Sequence, residues 1–111
     1  MKSENVVIEV LESKCDHYKP GDKIYIKDAL IDMEKTKKVC VMALQSFFPF
    51  VFAARKGVTP QQVGFGDKFI VQCPDYCEPV VFEIKRKTSL IGLYLQDVTS
   101  ILPLYVMIVL L

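Results

Sequence analysis

The fold of this chain depends on the stretch Val39-Cys40-Val41-Met42-Ala43-Leu44-Gln45-Ser46-Phe47-Phe48. Apolar residues recur along it at helical spacing, with one stripe at Val41, Leu44 and Phe48 and a second beside it at Cys40, Ala43 and Phe47. Only Gln45 and Ser46 interrupt an otherwise apolar surface. The stretch therefore predicts one largely buried α-helix.

Two later signals concern the end of this helix. Pro49 is expected to kink or end it, because proline lacks the backbone N–H that a helix interior needs. Arg55-Lys56-Gly57 is typical of a helix end, with cations near the last turn and a glycine after it.

The residues on either side of the helix carry the alternation of apolar and polar residues that is typical of strands. Four stretches show this pattern: Val6–Leu11, Lys23–Lys27, Lys68–Val71 and Val80–Ile84. Turn formers separate them, and residues 73–79 form a connection short enough for a hairpin. Residues 1–87 are therefore predicted to form a single α+β domain, with a small, mainly antiparallel sheet packed on the buried helix.

Composition limits the functional classes. Hydrophobic residues make up 51% of the 111 residues, which predicts a packed core, and the formal net charge is +1. That charge argues against a nucleic-acid binder acting through a broad basic field, and the basic run Lys35–Lys38 is interpreted as a solvated face. The polar N-terminus predicts a cytoplasmic protein with reduced thiols.

Residues 88–111 form an apolar C-terminal segment whose single charged residue is Asp97. Its length and the preceding Lys85-Arg86-Lys87 are compatible with membrane contact. Asp97 and Pro103 argue against a simple membrane span. The alternative is a segment that packs as a helix or strand on its own domain, or on a second copy through self-association.

Three cysteines stand beside predicted turns or at the helix start. Cys15 precedes the Gly21-Asp22 turn, Cys40 opens the helix, and Cys73 begins Cys73-Pro74-Asp75 after a predicted strand. This ordered set is more specific than any one of its parts.

The set resembles a small prokaryotic family of unknown function, whose members carry three cysteines and a Cys-Pro-Asp motif in single-domain or tandem-repeat proteins. The resemblance covers about residues 6–86. The matching positions are Cys15, Gly21, Asp22, Cys40, Pro49, Cys73, Pro74 and Asp75. Because no activity is assigned to the family, the resemblance suggests a site at the cysteines without a reaction.

The first functional hypothesis is a small binding module whose thiol-lined site holds a metal ion or a small ligand. The candidate metal ligands are Cys15, Cys40 and Cys73, with His17 and Cys77 as further members. Three thiolates and one imidazole suit tetrahedral zinc or another thiophilic metal. The spacing, however, lacks the C-x2-C pairs of structural zinc sites, so the choice between metal and small ligand stays open.

Two other hypotheses compete with the first. A thiol-dependent redox protein or enzyme would use Cys40 or Cys73 as nucleophile and Asp75 as its carboxylate, and a helix N-terminus favours the thiolate form of Cys40. A structural or membrane-associated interaction domain would merely pack its cysteines in the core. A binding function is preferred over an enzymatic one.

Overall fold

The computed structural model of this chain describes residues 5–87. Its elements follow in the order β1 (Asn5–Ser13), β2 (Lys23–Lys27), β3 (Leu30–Ile31), α1 (Val41–Arg55), β4 (Phe69–Gln72) and β5 (Val80–Lys87), with a 3₁₀ turn at Pro60–Val63 before β4. The five strands form one antiparallel sheet in the order β3-β2-β1-β5-β4. The α+β prediction is confirmed, and so is the hairpin between β4 and β5.

Alternation along the strands sends one set of apolar side chains under α1. The buried set includes Val6, Ile8, Val10, Ile24, Ile26, Phe82 and Ile84. Phe82 lies at the centre, because its ring makes edge contacts with both Tyr18 and Phe47 at centroid distances of 5.6 Å. The core therefore joins the sheet to the helix and to the loop after β1.

Helix α1 differs from expectation in its length and in how much of its surface is buried. It continues through Pro49 to Arg55, so proline does not end it. Its buried residues are Ala43, Phe47, Val51 and Ala54. The prediction of a largely buried helix is wrong, because Val41, Met42, Phe48 and Phe52 are exposed. Packing against Phe82 selects this face, because small alanines let the helix approach the sheet while Phe47 fills the space between them.

The end of α1 follows the predicted pattern. Arg55 is the last helical residue, Lys56 is the C-cap, and Gly57 adopts a positive φ of 83° that L side chains rarely tolerate. The backbone N–H groups of Lys56 and Gly57 donate to the carbonyls of Ala53 and Ala54, which closes the last turn.

Within the described part of the chain, no helix is both long and apolar enough to cross a membrane. The apolar segment 88–111, for which packing or membrane contact was predicted, lies outside the described residues.

Candidate ligand-binding site

The topology brings three of the four cysteines toward the same end of the sheet. Cys15 follows β1, whose last residue Ser13 is the register partner of Val80 at the start of β5. Cys73 follows β4, and its N–H donates to the Val80 carbonyl at 2.9 Å. Cys77 lies in the β4–β5 loop. Cys15, Cys73 and Cys77 therefore lie at one end of the sheet, and sharing an end does not by itself make a joint site.

Tyr18 connects two of these cysteines. Its hydroxyl accepts a hydrogen bond of 2.6 Å from the backbone N–H of Cys40, the N-cap residue of α1. Its own backbone N–H donates to the carbonyl of Cys15 at 3.4 Å, and the Cys15 sulfur accepts the N–H of His17 at the same distance. Because the Tyr18 ring is buried against Phe82, this corner is anchored directly in the core.

The environment of Tyr18 shifts its ionisation. Burial raises the pKa of the hydroxyl above its ordinary value of 10.0, and the hydrogen bond from Cys40 opposes that shift. Negative charge on Cys40, Asp22 or Cys15 would raise the pKa of Tyr18 further.

The Cys73-Pro74-Asp75 motif shapes the β4–β5 loop. The Cys73 sulfur is buried and accepts the N–H of Val80 at 3.2 Å. The Asp75 Oδ1 accepts the N–H groups of Cys77 and Glu78 at 2.9 and 3.1 Å, as in an Asx turn. These side chains satisfy backbone donors that the hairpin connection leaves without a ladder partner. Cys73 and Asp75 of the motif therefore have a structural role, which is to hold the β4–β5 loop in its conformation.

The remaining predicted site residues are peripheral. His17 and Cys77 are exposed, and all four cysteines are free thiols. Among residues 5–87, no three or more histidine, cysteine, aspartate or glutamate side chains are grouped so that they could hold a metal ion. The metal-site hypothesis therefore gains no geometric support from the described residues, and the hypothesis of a small-ligand site stays open.

Beside the Tyr18 corner lies a cavity of about 530 Å³ that sequence reasoning missed. Lysines and tyrosines dominate its wall: Lys19, Lys23, Lys35, Lys37 and Lys38, with Tyr18 and Tyr25. Asp22 and Gly21 complete the lining. Five cations against one carboxylate give the cavity a strongly positive character.

Two hydrogen bonds hold the lysine-rich segment 35–38, and the residues just before it, against strand β2. The Asp32 N–H donates to the Tyr25 carbonyl at 2.8 Å, which continues the β2 edge beyond β3. The buried Thr36 hydroxyl then accepts the Tyr25 N–H at 3.0 Å. The Asp32 main chain and the Thr36 side chain, on either side of residues 33–35, both bond to Tyr25. Lys35, Lys37 and Lys38 are therefore presented to the cavity.

The single carboxylate of the cavity is already engaged. One Asp22 oxygen accepts the backbone N–H of Lys19 at 2.8 Å and lies 3.6 Å from the Lys38 ammonium. Lys38 also lies 5.8 Å from the centroid of the Tyr18 ring, and Lys35 lies at the same distance from the Tyr25 ring. Asp22 thus offsets only part of the charge that the lysines contribute.

The sequence carried a signal for this cavity that the solvated-face interpretation overlooked. Lys19 and Lys23 flank the Gly21-Asp22 turn, and Tyr18 and Tyr25 stand just outside them. This spacing places a basic, aromatic-flanked turn in the chain, but nothing local indicates that residues 35–38 fold against it. The contact depends on Thr36 reaching Tyr25 across 11 positions.

No protein-family model matches the chain, and neither a curated protein nor a solved structure matches it. The resemblance to the prokaryotic Cys-Pro-Asp family consequently stays a prediction.

Proposed function

We propose that this protein is a small binding module for a compact polyanionic ligand, a molecule carrying a phosphate ester or several carboxylates. The lysine-lined cavity beside Tyr18 is the observation that carries the proposal. The sequence hypothesis placed the small-ligand site at the thiols, whereas this proposal takes the lysines of the cavity as the contacting groups, and no cysteine is among the described residues that line it.

The size and chemistry of the cavity support this class of ligand. Ligand sites in proteins commonly enclose about 300–1,000 Å³, and the cavity measures about 530 Å³. Ammonium groups from Lys19, Lys23 and Lys37 can donate charge-assisted hydrogen bonds to phosphate or carboxylate oxygens. The two tyrosine rings offer flat surfaces for an uncharged part of the ligand.

In this proposal, the contacts of Tyr18 with the backbones of Cys40 and Cys15 make one wall of the cavity rigid. The Cys40 N–H fixes the Tyr18 hydroxyl, and the backbone bond from Tyr18 to Cys15 fixes the loop that carries Lys19. A wall held in place before binding reduces the entropy lost when the ligand is ordered.

The test is a titration of the full chain with pyrophosphate and, separately, with citrate. Binding is monitored by NMR, through the amide chemical shifts, and by calorimetry. Saturable binding should shift the amides of residues 18–25 and 35–38. The double variant Lys37→Gln, Lys38→Gln should weaken binding at least tenfold. Affinity should also fall as salt increases, because the attraction is between charges.

The matched control is a pair of lysines outside the cavity, Lys56→Gln with Lys68→Gln, which makes the same change in net charge. Equal loss of binding in both double variants would indicate a general charge effect and contradict a built site. Shifts spread over all exposed lysines, without saturation, would contradict it as well. The two probes distinguish phosphate from carboxylate preference.

Thiol chemistry at Cys40 is a second candidate, favoured by one observation. Cys40 is the N-cap residue of α1, at the end of the helix where backbone N–H groups without helical partners favour a nearby negative charge. Exposure alone would make Cys77 the fastest thiol to alkylate, because Cys40 is half-buried. Iodoacetamide labelling of the native chain followed by peptide mass spectrometry decides the matter: faster labelling at Cys40 supports an activated thiol, and faster labelling at Cys77 contradicts it.

A further inference from the structure

A second surface, separate from the lysine cavity, is an apolar groove between α1 and the β2–β3 edge of the sheet. The groove has a volume of about 230 Å³. Its walls include Ile26 and Ile31 from the strands, Leu44, Phe48 and Phe52 from the helix, and Arg55 at one end. We call it the α1–β3 groove.

The groove exists because one helix cannot cover the whole sheet. Five strands at a spacing of about 4.8 Å are about 19 Å across, whereas an α-helix is about 10 Å wide. Helix α1 packs on β5, β4 and β1, so the inner face of the β2–β3 edge is left beside it and not beneath it.

The helix side of the groove exposes unusually large apolar groups. Phe48 and Phe52 are 59% and 54% exposed in the described structure. They stand four residues apart, and hence on the same side of α1. Adjacent exposed aromatics on a helix commonly mark a surface that another segment covers.

The chain leaves the described structure beside one end of this groove. Strand β5 ends at Lys87, which is the register partner of Asn5. The Asn5 Oδ1 accepts the N–H of Asp28 at 2.9 Å, and the Asp28 carboxylate lies 3.5 Å from the Arg55 guanidinium that bounds the groove. The Arg86 guanidinium reaches the turn after α1, 3.7 Å from where a Cβ on Gly57 would lie.

We infer that the α1–β3 groove is the docking site of residues 88–111 of the same chain. Those 24 residues contain one charge, Asp97, so their composition matches an apolar groove. Leu44 and Arg55 are about 17 Å apart along the helix at 1.5 Å per residue, and 24 residues would extend about 36 Å even at that compact rise. The segment is therefore long enough to follow the groove from its Arg55 end.

The test places a photo-crosslinker in the groove of the full chain, as Phe52→p-benzoylphenylalanine, with Tyr76→p-benzoylphenylalanine as the control. Tyr76 is 94% exposed and lies in the β4–β5 loop, at the opposite end of β5 from Lys87. Irradiation of the Phe52 variant should give adducts of single-chain mass joined to peptides from residues 88–111. The Tyr76 variant should give none with that segment.

Three outcomes would overturn the inference. Adducts of two-chain mass would make a second copy the occupant. Adducts to other peptides alone would leave residues 88–111 elsewhere. Flotation of the chain with vesicles of phosphatidylcholine and phosphatidylglycerol, with loss of the single-chain adduct, would make the membrane the occupant.

Hydrogen exchange provides a second measurement on the full chain. The double variant Phe48→Asp, Phe52→Asp should speed exchange within residues 88–111 by at least tenfold, because charge in the groove opposes apolar docking. Tyr76→Asp is the matched control and should leave that exchange unchanged. Equal exchange in all three proteins would contradict docking in the groove.

Discussion

The hydroxyl of Tyr18 accepts a 2.6 Å hydrogen bond from the backbone N–H of Cys40, 22 positions later in the chain. This contact joins the loop after β1 to the first turn of α1. Tyr18 also lines the lysine cavity, and its backbone N–H donates to the Cys15 carbonyl. Both the stability of the domain and the shape of the cavity should depend on the hydrogen bond between Tyr18 and Cys40.

The first prediction concerns the strength of this contact. Tyr18→Phe removes the acceptor of the Cys40 N–H and keeps the ring on Phe82, so it should lower the free energy of unfolding by about 1–3 kcal/mol. Urea unfolding should show a lower midpoint with an unchanged slope. Tyr76→Phe, at an exposed position, is the control and should have almost no effect. Similar losses in both variants would show that the buried hydrogen bond is not responsible.

The second prediction concerns alkaline pH. Burial raises the pKa of Tyr18 above 10.0 in the folded chain. The resulting stability is fully present below pH 10.0 and is lost as pH rises through the folded value. An ultraviolet titration of tyrosinate should contain a late phase that Tyr18→Phe removes. A titration curve lacking that phase in the unmodified protein would contradict the burial argument.

The third prediction concerns the charged cluster on the outer face of the sheet. Lys85 lies 2.8 Å from Glu9 and 3.8 Å from Glu83, two carboxylates that are register partners across β1 and β5. Lys85→Gln should cost about 0.2–1 kcal/mol at neutral pH and low salt. It should cost more than Glu9→Gln, because it leaves two like charges facing each other. Thermal unfolding at two salt concentrations measures both differences, which should shrink as salt rises.

The same cluster has a defined pH dependence. The hydrogen bond from Lys85 lowers the pKa of Glu9 below its ordinary value of 4.5, and in turn raises the pKa of Lys85 above 10.5. The contribution of Glu9 is therefore present above pH 4.5 and lost as pH falls through the folded value. The stability difference between the unmodified chain and Glu9→Gln should disappear in acid. A stability difference that persists in acid would show that Glu9 stabilises the fold through packing and not through its charge.

The fourth prediction separates Cys73 from Cys77. Cys73→Ala removes a buried sulfur that accepts the Val80 N–H, so it should destabilise the domain by about 1–3 kcal/mol. Cys77→Ala changes an exposed thiol and should be close to neutral. If Cys73→Ala left stability intact while abolishing ligand binding, the cysteine would belong to a site and the loop interpretation would be wrong.

Local patterns predicted much of the framework. Strand β2 has the bounds that alternation indicated, Lys23–Lys27, and α1 ends at Arg55 before a glycine with positive φ. The β4–β5 hairpin follows from the turn-forming residues around Asp75. Each of these features depends on neighbours in sequence, because alternation, caps and turns are satisfied within a few residues.

The sequence by itself thus determined the α+β class, the strand pattern and the end of the helix. Only the tertiary structure decided that α1 buries Ala43 and Phe47, since an almost wholly apolar helix gives no preferred direction. It also decided that the Thr36 hydroxyl accepts the Tyr25 N–H beside the lysine cavity, and that the Tyr18 hydroxyl accepts the Cys40 N–H. These contacts join residues 11 or more positions apart, and their pairing depends on how the whole sheet and helix pack together.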